Sequence, residues 1–154
     1  MRRPLSSTAT GLWIFVASAL LSSEGWPAQV AVVKLQAQLV WGTNDDRSPD
    51  PSHKPVESEV KAKLGELPLK FTNYFEVNRK SLEVTVPGAN RVPMSEKCEL
   101  EVKSLGGSSF EVSLFGKGKQ VVKRTQTLAR GEMLVVGGNA PNATAWLVVL
   151  KRIE

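Results

Sequence analysis

The sequence predicts a mainly β fold: a β-sandwich-like single domain of seven to eight strands with one short amphipathic helix, α+β being the alternative. Three observations carry that expectation. Apolar and polar residues alternate at period two in several stretches, most cleanly in VKLQAQLVW (33–41) and KCELEVKSL (97–105). Turn-forming residues recur roughly every 8–12 residues after Pro68, as in sandwiches and barrels. Helical spacing occurs in one stretch of the mature chain, and the βαβ alternation of a doubly wound fold is missing.

The chain begins with the layout of a secretory signal peptide, assigned to residues 1–28. Arg2 and Arg3 are followed by the apolar run Gly11–Leu21 and then by small residues. That run is about half the roughly 20 residues a membrane-spanning helix needs. Cleavage fits after Gly25 or after Ala28, leaving one domain over 29–154 and no stable membrane span. Removing Arg2, Arg3 and Glu24 takes the net charge from +5 to +4, a modest basic balance that suits anionic partners without naming one. Cys98 is the single cysteine, so no internal disulfide can form, and a disulfide-stapled extracellular module is excluded. A bacterial periplasmic or secreted location fits better.

In order, residues 33–41 read as a half-buried strand with Val33, Leu35, Ala37, Leu39 and Trp41 on the core side and Lys34, Gln36, Gln38 and Val40 on the other. GTNDDRSPDPSHKP (42–55) is a loop by composition. In PVESEVKAKLGEL, Val56, Val60, Leu64 and Leu67 recur at helical spacing. Pro55 starts this helix, Ser52 is a candidate cap, Glu57–Lys61 and Glu59–Lys63 form i,i+4 pairs, and Gly65 ends it after about three turns. Residues 69–79 and 81–86 read as strands before a Pro87-Gly88 turn. Further strands follow at 97–105, 109–116, 120–128, 132–138 and 144–153, separated by Gly106-Gly107, by GKGK (116–119) and by the loop after Gly138.

Few motifs carry chemistry. Gly137-Gly138 follows an apolar run, but no helix start and no lysine come after it, so it reads as a strand end rather than a phosphate cradle. Asn142-Ala143-Thr144 matches the N-glycosylation triplet, which carries little meaning in a bacterial setting. All three aspartates, Asp45, Asp46 and Asp50, share one loop with Asn44 and His53. An EF-hand reading fails because Pro51 stands where glycine is needed. Asx and proline chemistry for chain reversal explains that loop without metal. His53 reads as an exposed loop residue and Cys98 as a buried small hydrophobe; one of each builds no zinc set, and no G-x-S-x-G elbow is present. Lys117, Lys119, Lys123, Arg124 and Arg130 surround a turn beside Phe115. They form either an anion-binding face or an edge that lysines keep from pairing.

Taken together, Val33–Trp41 with Gly42-Thr43-Asn44-Asp45, then Asn73–Val77, then the Gly131–Leu150 pattern G-x-x-L-V-V-G-G … L-V-V-L, resemble an uncharacterised family of small exported bacterial β-rich proteins. The resemblance implies an exported bacterial β domain and brings no functional residues with it.

The expectation for function is an exported, non-catalytic β domain that serves as a binding or structural component of the bacterial envelope or as a secreted protein. No cofactor is expected. The partner would be an envelope protein or anionic surface polymer rather than nucleic acid, met at Trp41, Lys117, Lys119, Lys123 and Arg124. The alternative is a metal-assisted hydrolase using the acidic loop 44–57. Export predicts that protein recovered from the periplasm or medium begins at Trp26 or Gln29 by amino-terminal sequencing; an intact Met1 leader would refute it.

Overall fold

In the computed structural model, which describes residues 25–27, 29–140 and 143–154, the period-two stretches become strands. Except for 25–27, the segment assigned as a leader lies outside the described residues, as does Asn142 of the glycosylation triplet. The elements are β1 (Ala31–Thr43), β2 (Lys54–Pro55), α1 (Ser58–Gly65), β3 (Asn73–Val86), β4 (Gly88–Ser95), β5 (Cys98–Gly106), β6 (Ser109–Gly116), β7 (Lys119–Thr127), β8 (Met133–Ala140) and β9 (Thr144–Arg152). They form two antiparallel sheets. Sheet 1 has the order β2-β3-β1-β9-β8, and sheet 2 is the meander β4-β5-β6-β7. The β-sandwich expectation holds, with eight long strands and the two-residue β2.

The main core lies between the sheets. Leu35, Ala37 and Leu39 of β1, Leu82 and Val84 of β3, and Val148 and Leu150 of β9 meet Leu100, Val102, Phe110 and Val112 of sheet 2. Phe110 is the largest fully buried side chain. A second, smaller core sits on the outer face of sheet 1, where Val60 and Leu64 of α1 cover Val40, Ala145, Leu147 and Val149. The molecule therefore has three layers: helix, sheet 1, sheet 2. No helix among the described residues is long and apolar enough to cross a membrane.

The structure differs from the sequence expectation in several places. Residues 73–86 are one strand rather than two, because Val77 is absorbed as a bulge opposite the Leu39–Val40 step of β1. Strand β4, absent from the sequence reading, pairs with β5 at the edge of sheet 2, and Asn78 Nδ2 donates to the Met94 carbonyl at 2.8 Å to tie it to β3. The helix has only eight residues. Lys54-Pro55 is taken up by pairing with Glu76 and Phe75, and Glu57 is extended at the N-cap position without a side-chain cap. Gly65 is the last helical residue, and Glu66, in right-handed conformation, follows it in place of a left-handed glycine cap. The i,i+4 pairs are replaced by tertiary ones: Glu57 to Arg79 at 2.7 Å and Glu59 to Lys151 at 2.7 Å. Gln38, expected on the solvent side, is buried between Arg79 and Val149 on the face that α1 covers.

Gly137 and Gly138 also lie inside a strand rather than at its end. Strand β8 runs through them to Ala140, with Gly137 opposite Leu147 and Gly138 opposite Trp146. Gly137 has φ +151°, and a Cβ there would lie 2.3 Å from the Trp146 carbonyl oxygen; at Gly138 a Cβ meets nothing within 4 Å. Gly137 is where two backbones approach closely, and the doublet lies within a paired strand rather than in a loop leading to a helix. Gly137→Ala is expected to destabilise by about 2 kcal/mol or more, while Gly138→Ala stays within about 0.5 kcal/mol. Equal denaturant midpoints for the two variants would refute this.

Candidate functional site

Strand pairing assembles one distinctive feature at an end of the sandwich. In the same row across sheet 1, Phe75 of β3 pairs with Trp41 of β1, Trp41 with Trp146 of β9, and Trp146 with Gly138 of β8. Directly paired residues project from the same face with Cβ atoms about 5 Å apart. The parity of the row is that of Leu39 and Val148, the side facing sheet 2, but sheet 2 stops short of it. Strand β4 ends at Ser95, where Met94 is level with Asn78, three residues before Phe75. Trp41 and Trp146 are therefore less covered than Leu39 and Val148. Phe75 is buried, Trp41 half-buried, and Trp146 is 43% exposed. Trp41 and Phe75 have ring centroids 6.2 Å apart and planes tilted by 33°, closer to tiles than to a T.

Trp41 borders a wide recess of about 830 Å³ whose other walls include Asp45, Asp46, Arg47, Ser48 and Thr144. The loop after β1 that supplies most of this wall is pinned to the start of β3. Asn44 Oδ1 accepts from the Thr72 N–H at 3.0 Å, and Asn73 Nδ2 donates to the Asp45 carbonyl at 2.9 Å. The Asp45 N–H also donates back to Thr43 Oγ1 at 3.1 Å. Farther along, Asp50 Oδ1 accepts from the Ser52 N–H at 2.8 Å and its hydroxyl at 2.7 Å. These bonds hold the exposed Asp50 carboxyl below its ordinary value. None of the ion pairs among the described residues uses Asp45, Asp46 or Arg47.

The acidic loop shows how its charges are spent. No three His, Cys, Asp or Glu side chains among the described residues are grouped to hold a metal ion. His53 is half-buried rather than exposed, with Nδ1 2.7 Å from Ser48 Oγ and Nε2 3.6 Å from Asp50 Oδ2. Ser48, His53 and Asp50 thus touch in sequence, but 3.6 Å is too long for the orienting hydrogen bond a nucleophilic triad requires. Asp50 is committed to Ser52, and all three residues sit within one short loop. The contacts fold the loop. Cys98 is half-buried at the edge of the core, and burial raises its thiol pKa above the ordinary value, so the thiol is the resting form near neutrality.

The basic residues do not form one face. Lys117 and Lys119 stand at the β6–β7 turn, where the Lys117 N–H donates to the Lys97 carbonyl at 2.9 Å, bringing Lys97 to the same tip. Lys123 pairs with Glu111 at 3.1 Å. Arg124 is the next residue on a strand, so it projects from the opposite face, and it lines a groove between β7 and β8 with Val122 and Gln126. Sequence reasoning found Trp41 but missed Trp146 and Lys97. The signal for Trp146 lay in pairing the closing strand with the leading one, which requires the register.

Comparison with protein-family models, with curated proteins and with solved structures finds no match to this chain.

Asp50→Ala removes both Ser52 contacts, so the melting temperature should fall by the same amount with and without millimolar calcium or zinc. The Asp50 pKa is depressed in the fold, so its contribution is present at neutral pH and disappears as pH falls through that depressed value. A metal-induced rise in wild-type melting temperature that Asp50→Ala abolishes would instead make the loop a cation site.

Proposed function

We propose that the chain is an exported, non-catalytic β domain that acts by binding, as a component of the bacterial envelope or as a secreted protein. One observation carries this reading. Trp41 and Trp146 occupy paired positions at the end of the sandwich, and Trp41 borders a recess whose loop is fixed by cross-strand hydrogen bonds. Isolated exposed aromatics are ordinary on protein surfaces, but neighbouring indoles, one of them bordering an open recess, suit a ligand. Sandwiches commonly carry recognition at their ends, where loops cluster. The turn bearing Lys117 and Lys119, tied to Lys97, closes sheet 2 at the end nearest Asn78, so cationic side chains and the aromatic row share one end of the molecule. Lys123, paired with Glu111, and Arg124, on the groove side, stand outside this surface.

The metal-assisted hydrolase reading has no comparable support, because Asp50 and His53 make contacts that fold the loop.

The test is recovery of an envelope component with the full chain, compared with Trp146→Ala and with the double variant Lys117→Glu, Lys119→Glu. Loss of the component with Trp146→Ala, at unchanged far-ultraviolet circular dichroism, is the expected result, and charge reversal at the turn, which lies outside the recess, should weaken recovery less. Identical recovery by all three proteins would refute the reading.

A further inference from the structure

Resting on that reading of the site, the geometry points to a neutral carbohydrate chain as its ligand, laid across Trp41 and Trp146 with its hydroxyl groups turned to Asp45, Asp46 and Arg47.

Three features of the site lead there. The first is shape. Trp41 and Trp146 occupy directly paired positions on neighbouring strands and project from the same face. Rings arrayed side by side along a sheet surface make a strip, whereas a cation cage needs rings that close around the charge from several sides. The strip continues past Trp146 over Gly138, which has no side chain to block it and open space above it. A ligand that repeats along its length can use such a strip; a compact one cannot. The face of a pyranose presents polarised C–H bonds, which suit the negative face of an indole.

The second is the polar rim. Asp45 and Asp46 accept hydrogen bonds only, and Arg47 beside them donates only. This mixture matches hydroxyl groups, each a donor and an acceptor. Two carboxylates repel an anionic polymer at the recess itself, and Arg47 opposes a cationic ligand. The third is order. The rim is tied down before any ligand arrives, through Asn44 to Thr72 and Asn73 to Asp45, so little conformational entropy is lost on binding.

The test is electrophoresis of the full chain through native gels containing neutral polysaccharides of different linkage: hydroxyethylcellulose, glucomannan, xylan and amylopectin. Tryptophan emission is read in parallel with the matching oligosaccharides. At least one of these should retard the wild type and shift its emission, and the retardation should persist at high salt because no ion exchange is involved. Trp146→Ala and Trp41→Ala should weaken the interaction by about tenfold, whereas Trp146→Phe, which keeps a ring, should lose less. Trp146 is exposed enough for its removal to leave the fold intact; an unchanged melting temperature checks this. Equal retardation of wild type and Trp146→Ala would overturn the proposal, as would loss of binding in salt. Quenching by tetramethylammonium in place of any sugar would overturn it too. Should no neutral glycan bind while recovery of an envelope component still depends on Trp146, the ligand class falls and the binding surface stands.

Discussion

Strand β1 carries apolar side chains on both of its faces, and the other elements are arranged around that demand. Leu35, Ala37 and Leu39 face sheet 2, while Val40, on the opposite face by simple alternation, lies under Val60 and Leu64 of the helix. An antiparallel sheet usually leaves one face to water. Here neither face of β1 or of its neighbour β9 can be left wet, since Ala145, Leu147 and Val149 alternate with Val148 and Leu150. At about 1.5–3 kcal/mol for each large apolar side chain taken fully out of water, exposing either face would remove a large part of the stability of a domain this size. The eight residues of α1 could not hold a helix alone, so the helix exists because Val60 and Leu64 seal that outer face. The long-range ion pairs of Glu57 with Arg79 and Glu59 with Lys151 then fix where it lies.

This arrangement explains which parts of the fold could be read in advance. Strands β5 and β6 cover the core with one face only, so alternation announced them, down to Leu100, Val102, Phe110 and Val112. Strand β4, GANRVPMS, has Met94 fully buried and Val92 partly so, with Gly88 and Pro93 in it. At a sheet edge the missing proline N–H costs nothing, and the local pattern is too weak to mark a strand without its partner β5. The helix was legible as a period but not in its length, because β2 competes for its first residues. Its glutamates sit at i,i+4 spacing to lysines, yet each finds a better-placed cation on sheet 1. Spacing describes what an isolated helix could do, and tertiary neighbours decide the outcome.

The same distinction separates the visible from the hidden half of the site. Trp41 stood out as the last residue of an alternating face with nothing apolar after it. Trp146 looked like one more residue in LVVL-rich sequence, and only the register Trp41↔Trp146 makes the pair. The basic residues erred the other way. Proximity in sequence made Lys123 and Arg124 look like partners, but consecutive strand residues point oppositely, and one is neutralised by Glu111 while the other turns to the β7–β8 groove. Lys97, distant in sequence, meets Lys117 through a backbone hydrogen bond that no pattern encodes.

What leaves the indoles open is a mismatch in length between the sheets. Strands β1, β3 and β9 extend past the point where β4 turns back at Ser95, so one row of sheet 1 emerges from beneath sheet 2. Natural sandwiches can end such a row with polar or small residues at no structural cost. Here two tryptophans occupy the row, Gly138 keeps the place beside them clear, and the loop that could have folded over them is held to β3 by Asn44 and Asn73. The hydrogen bonds of Asn44 and Asn73 therefore hold in place the wall of the recess that Trp41 borders.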